Sequence, residues 1–217
     1  MKRAVFAELL GSTLLAAAVI GSGIMGERLA GGNAAIALIA NTAATVAALG
    51  ALIATLGPVS GAHFNPVVTL VAFANRQIEV PRAVAYVFAQ IAGCCAGAML
   101  ANLMFELPVI MTSTHARTGA AQWLAEVVAT SGLVLIAFTS PTVKEAAWRV
   151  PAWIAAAYWF TASTSFANPA ITLGRSLSDT FAGIRAADAP GFILAQLVGG
   201  AIGALLVRIL RTEAPTA

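Results

Sequence analysis

Six apolar stretches, at about 4–25, 34–57, 83–104, 121–140, 147–164 and 190–209, constrain this chain more than any other feature of its sequence. Each approaches the roughly 20 residues that a helix needs to cross the hydrocarbon of a bilayer. Charged residues make up 10% of the chain and mean hydropathy is +0.87, which excludes a soluble globular domain and predicts an all-α membrane protein of six spans. Two further apolar stretches, at about 59–74 and 163–177, carry an Asn-Pro pair internally and follow a span with almost no polar break. A helix of about 10 residues rises about 15 Å, half of a core about 30 Å thick, so each is predicted to be a re-entrant half-helix.

The basic residues set the expected topology. With both termini cytoplasmic, Lys2, Arg3, Arg76, Arg82, Lys144, Arg149, Arg208 and Arg211 lie inside, and Arg28, Arg117, Arg175 and Arg185 outside, as the positive-inside rule prefers. Basic residues so thinly spread between apolar runs do not suggest nucleic acid, despite a net charge of +3. The opening Met1-Lys2-Arg3 runs into an apolar stretch without an early cleavage site, which reads as a retained first span. Cys94 and Cys95 are adjacent within a span, where they offer neither a loop-closing disulfide nor zinc-ligand spacing, and read as small packing residues.

The chain also repeats itself. Asn65-Pro66-Val67-Val68-Thr69-Leu70 matches Asn168-Pro169-Ala170-Ile171-Thr172-Leu173, Glu8 matches Glu126, and Gln90 with Gly93 and Gly97 matches Gln196 with Gly199 and Gly203. Three landmarks in one order predict two units, 1–110 and 111–217, each of three spans and a half-helix. An odd number of spans inverts the second unit about an axis in the membrane plane and brings the half-helices together at mid-membrane. The glycines at small-xxx-small spacing read as helix contacts.

Asn is a favoured N-cap, and Pro fits the first helical position because its missing N–H costs nothing there. A lone Asn-Pro would merely start a helix. Two in register within an inverted repeat place two positive helix ends and two amide donors, Asn65 and Asn168, at the bilayer centre, a barrier to cations that a neutral lone-pair donor can pass. The non-helical backbone before each start, with Gly61, Ala62 and His63 in one unit and Phe166 and Ala167 in the other, is tolerable at that depth if it lines a wet cavity or is buried in protein. Its carbonyls are expected to form the acceptor side of a pore. Glu8 and Glu126 are open to two readings: a proton path, or structural acceptors for freed N–H groups of the adjacent loop. His63 is either a pH sensor or a loop-fixing side chain. The core shows no paired carboxylates, metal-ligand cluster or activated nucleophile, so no enzymatic activity, metal or cofactor is expected. The competing reading is a proton-coupled secondary transporter using Glu8 or Glu126, since such proteins share inverted repeats and broken helices.

Ser60-Gly61-Ala62-His63-Phe64-Asn65-Pro66-Val67-Val68-Thr69, with Val67 where Ala is usual, and Asn168-Pro169-Ala170 resemble the two signatures of the major intrinsic protein family, the aquaporins and aquaglyceroporins. The resemblance covers nearly the whole chain. It implies an aquaporin-like fold, a homotetramer with one pore per subunit in the cell inner membrane, and passage of small neutral solutes. Offsets from the two Asn residues carry the family's selectivity filter onto Thr45, Ala156, Ser165 and Ile171. The last is Arg in most members, so the filter is expected to be wide and to lack that charge. Arg175 lies one turn, about 5.4 Å, beyond Ile171 on the same helix face. It either sets a positive outer vestibule or reaches the surface and pairs with Asp179. The stretch 168–184 is further similar to a bacterial branch associated with arsenic-resistance operons, which implies metalloid acids such as arsenite, and small methylated arsenicals, as solutes.

Overall fold

A computed structural model describes residues 1–210 of the chain as eight α-helices, without a strand among the described residues. Arg211, expected on the cytoplasmic side, lies outside the described residues, as does the end of the 111–217 unit. In chain order the helices are α1 (Lys2–Leu29), α2 (Ala34–Ser60), α3 (Pro66–Ala74), α4 (Val80–Met104), α5 (Ala120–Thr139), α6 (Val143–Phe160), α7 (Pro169–Arg175) and α8 (Ala189–Leu210). Six are long, and α3 and α7 are the two half-helices expected at the Asn-Pro pairs.

Helices α1, α2, α4, α5 and α8 are long and apolar enough to cross a membrane. Helix α6 is shorter and carries Lys144, Glu145 and Arg149 in its first two turns. It starts earlier than its apolar run suggests because Thr142 caps it, accepting the Glu145 N–H, and it ends at Phe160 rather than in the following loop. Large side chains such as Phe6, Phe88, Leu124, Leu194 and Leu205 stand exposed on the outer faces, as expected of surfaces that meet lipid.

The packing repeats. Helix α1 packs on α2 and α4, and α5 packs on α6 and α8. Glycine sets the closeness of the α1/α4 crossing, where a Cβ added at Gly97 would lie 2.2 Å from the Thr13 carbonyl oxygen. At the α5/α8 crossing one added at Gly203 would lie 2.6 Å from that of Ser131. Close backbone approach at small residues is how helices associate where no hydrophobic effect acts between them. Two short helices are thereby held inside a ring of six long ones, and α3 touches α7.

Candidate functional site

Each half-helix begins as its sequence predicts. The Asn65 side-chain oxygen accepts the Val67 N–H, and that of Asn168 accepts the N–H groups of Ala170 and Ile171. Pro66 and Pro169 occupy the first helical position. The Asn side-chain nitrogens reach across to the opposite loop: Asn65 donates to the Ala167 carbonyl at 2.7 Å, and Asn168 to the Phe64 carbonyl at 2.8 Å. A primary amide has two N–H groups, so each Asn keeps one for the space between them.

The loops before the half-helices run through left-handed backbone at residues that rarely adopt it. Ala62 and Phe64 have φ of 49° and 48°, and Thr164, Ser165 and Ala167 have φ of 60°, 51° and 47°. Such a conformation costs of order 1–2 kcal/mol per residue and persists only where the surroundings hold it. Glu8 and Glu126 supply that hold. Glu8 accepts the N–H groups of His63 and Phe64 at 3.0 and 2.7 Å, the Ser60 hydroxyl and the Gln90 amide. Glu126 accepts the N–H groups of Phe166 and Ala167 at 2.9 and 2.8 Å and the Gln196 amide. Both carboxylates are fully buried, and neither lines the cavity described next.

A cavity of about 290 Å³ passes between the half-helices. One wall is apolar, with Leu15, Val19, Leu49, Ile53, Leu133, Val150, Ile154 and Ile171. The facing stripe is polar: Gly61, Ala62, His63 and Phe64 run to Asn65, and Ser165, Phe166 and Ala167 run to Asn168. Gln77 and Ser140 stand toward one end, Tyr158 and Arg175 toward the other. Of the Asn-Pro residues, Asn65 and Asn168 line the cavity, whereas Pro66, Val67, Pro169 and Ala170 are packed behind it. Val67 fits because α8 has a glycine opposite, with only 2.3 Å between Val67 Cγ1 and a Cβ added at Gly200.

Thr45, Ser165 and Ile171 all line the cavity, but Ala156 does not. It stands on the exposed face of α6. At 100° per residue, a position two before Tyr158 points to the opposite side of the helix, and it is Tyr158 that reaches the cavity, its hydroxyl 3.4 Å from Thr45 Oγ1. No spacing rule marks Tyr158. Only the phase of α6, with Ile154, Ala157 and Tyr158 buried, identifies it. The mouth is therefore bounded by a phenol where an alanine methyl was expected.

Arg175 also departs from one of its two expected placements. It is 2% exposed and lines the cavity rather than reaching the surface. Its Nε donates to the Ala182 carbonyl, and its guanidinium lies 3.4 Å from the centre of the Phe166 ring. Asp179 is engaged elsewhere, with the N–H and hydroxyl of Thr114. The rim is a second layer of loop: Ser113 N–H donates to the Ser176 carbonyl, Arg185 N–H to that of His115, and Arg117 Nε to that of Gly183. Asp188 closes it, taking the Arg117 N–H and both ends of the Arg185 guanidinium, whose hydrogen bonds hold its carboxyl below the usual aspartate range.

His63 donates to or accepts from Thr69 Oγ1 at 3.1 Å and packs edge-on against Tyr86. It borders the cavity as well, so the structure ties it into the loop without removing it from the pore wall. Among the described residues, no group of three or more His, Cys, Asp or Glu residues could hold a metal ion.

Two half-helices, each capped by Asn and started by Pro, meet beside this cavity within a bundle of long apolar helices, the architecture of a membrane channel. The chain belongs to the major intrinsic protein family, whose model matches residues 1–156. It is 50% identical to aquaglyceroporin AqpS of Rhizobium meliloti over 97% of this chain and 91% of that protein. It is also 33% identical to aquaporin-5 of Ovis aries over 64% of this chain and 52% of that one. The crystal structure of the aquaglyceroporin from Plasmodium falciparum superposes with a TM-score of 0.71 at 18% identity, covering 95% of this chain and 93% of that one, and so shares its fold.

Proposed function

We propose that the chain is a passive channel for water and small uncharged hydroxylated solutes: polyols such as glycerol and metalloid acids such as arsenite, with small methylated arsenicals. The observation that carries this reading is the two-sided cavity. An apolar wall faces a stripe of loop backbone and two Asn amides, which suits a molecule whose hydroxyls lie on one side of a short carbon or metalloid frame. Similarity to a protein named an aquaglyceroporin supports water and glycerol among these solutes. The two positive half-helix ends and the remaining amide N–H groups of Asn65 and Asn168 are the barrier to protons and cations. Thr45, Ser165, Ile171 and Tyr158 bound the solute's passage at the outer mouth. Glu8 and Glu126 act as loop supports, since each is saturated with donors away from the cavity. That placement favours a channel over a proton-coupled transporter.

In the same reading the chain comprises inverted repeats 1–110 and 111–217, has cytoplasmic termini, and assembles as a homotetramer in the inner membrane. Stopped-flow light scattering on proteoliposomes tests the function with water, glycerol and arsenite gradients. Wild-type protein is expected to pass all three. Ile171→Arg is expected to slow glycerol and arsenite at least tenfold and water less. Equal rates of all three solutes in the variant would refute the assignment of the narrow point to the Ile171 level.

A further inference from the structure

We propose that the outer mouth of the pore holds a subsite for a small singly charged oxyanion, formed by Arg175 with the Ser165 and Tyr158 hydroxyls. The proposal rests on the channel reading above and extends its solutes from neutral molecules to monoanions.

The first support is a buried cation without a direct ion pair among the described residues. Ion pairs among the described residues join Arg149 to Glu145 and Arg185 to Asp188. Arg175 joins neither. The carboxylates of its surroundings are committed: Glu126 to the loop N–H groups and Gln196, Asp179 to Thr114, and Asp188 to Arg185 and the Arg117 N–H. Arg117 adds a second cation, its guanidinium 5.2 Å from the centre of the same Phe166 ring and, among the described residues, bonded to the carbonyls of Gly183 and Phe181. Burying a charge is costly unless something compensates it. Here the direct contacts are one backbone carbonyl on Nε and the face of Phe166, with the Glu126 carboxylate acting only at longer range.

Geometry supplies the second support. A guanidinium stacked on a ring has its plane fixed and directs its in-plane N–H groups past the ring edge. Nε is taken by the Ala182 carbonyl, and the terminal nitrogens have no protein acceptor among the described residues while the side chain lines the cavity. Two N–H groups in a fixed plane match the two oxygens of an oxyanion. The third support is Ser165, which is 3% exposed, lines the same cavity, and has a hydroxyl without any hydrogen-bond partner. A buried unpaired donor in the wall of the cavity that also holds the free end of a guanidinium leaves room for an acceptor shared by both. Tyr158 lines the same cavity, with a weak 3.4 Å contact to Thr45 as its hydroxyl's bond. No Asp or Glu lines the cavity, and the Asn65 and Asn168 amides at two positive helix ends lie in its wall. That field opposes cations and favours an anion.

Methanesulfonate is a suitable probe because it stays a monoanion and does not leak as a neutral acid. Purified wild-type protein is expected to melt several degrees higher in methanesulfonate than in chloride at equal ionic strength, as ligand binding to the native state requires. The rise should vanish in Arg175→Ala and be halved in Arg175→Lys, which keeps the charge without the fork. In proteoliposomes, outside methanesulfonate is expected to lower wild-type glycerol flux at least threefold and to lose that effect in Arg175→Ala. No melting shift in wild type, or an equal shift in Arg175→Ala, would overturn the subsite. A wild-type protein that shifts in melting but passes no glycerol would instead refute the channel reading and leave the subsite standing.

Discussion

The loop before α3 and the loop before α7 are held by the same parts in the same places. A buried glutamate takes two consecutive N–H groups, a glutamine from the neighbouring long helix braces that glutamate, and an Asn caps the half-helix. Even the aromatic contacts correspond: His63 meets Tyr86 edge-on at 5.4 Å, and Phe166 meets Phe192 edge-on at 5.1 Å. Their chemistry diverges from there. His63 and Tyr86 have polar edges that bond to Thr69 and to the Ser60 carbonyl, whereas Phe166 and Phe192 have none, and the Phe166 face is covered by Arg175. Helix α3 ends before Arg76, which is exposed, and the shorter α7 ends on Arg175, which turns inward. The loops are thus fixed by matching parts in both halves, while a buried arginine at the cavity belongs to one.

The largest effect should come from breaking the shared part. Glu8→Ala and Glu126→Ala each strand two buried backbone N–H groups and a glutamine, at about 1–3 kcal/mol per group, and both variants are expected to lose folded yield in detergent. Native melting in one but not the other would show that the two halves are not held alike. Next comes a contact of the first half-helix with α8, Val67 against Gly200. Gly200→Ala drives a methyl into Val67 and should cost about 1–3 kcal/mol of stability, while Val67→Ala in the same chain should restore most of it. A double variant as unstable as the single one would place the damage elsewhere in α8.

His63→Phe converts the first half toward the second. It removes one hydrogen bond to Thr69, worth about 1 kcal/mol, and should lower the melting temperature modestly while leaving the pore open to glycerol. The smallest effect belongs to the rim. The Asp188 carboxyl is depressed by Arg185, so its contribution is present above the ordinary aspartate range and fades as pH falls below about 4 through its folded-state value. Asp188→Asn should therefore melt slightly below wild type at pH 7, with the gap closing in acid.

Much of this was legible in the chain. Two Asn-Pro pairs at matching places, two buried glutamates and the apolar lengths specify the helices, the half-helices and the parts that fix the loops, because each is a local signal with one cheap structural solution. What escaped depends on angle rather than spacing. Ala156 sits at the offset the family resemblance assigns to the filter, yet α6 turns it outward and brings Tyr158 in. Arg175 is open in the sequence to two placements, vestibule or surface, and the 176–188 loop, with the Ala182 carbonyl on its Nε, decides for the buried one at the cavity. Val67 departs from the usual alanine, and its accommodation by Gly200, more than a hundred residues away, has no local signature.

The crossed amides carry a consequence for how the molecule is made. The Phe64 carbonyl is synthesised 104 residues before the Asn168 side chain that donates to it, and the Asn65 amide 102 residues before the Ala167 carbonyl that accepts from it. A nascent chain holding only the first three long helices has both groups at membrane depth with no partner from its own half. The first re-entrant loop is therefore finished by the second, and a chain truncated before Ser163 is expected to be degraded in the membrane rather than to persist as half a pore.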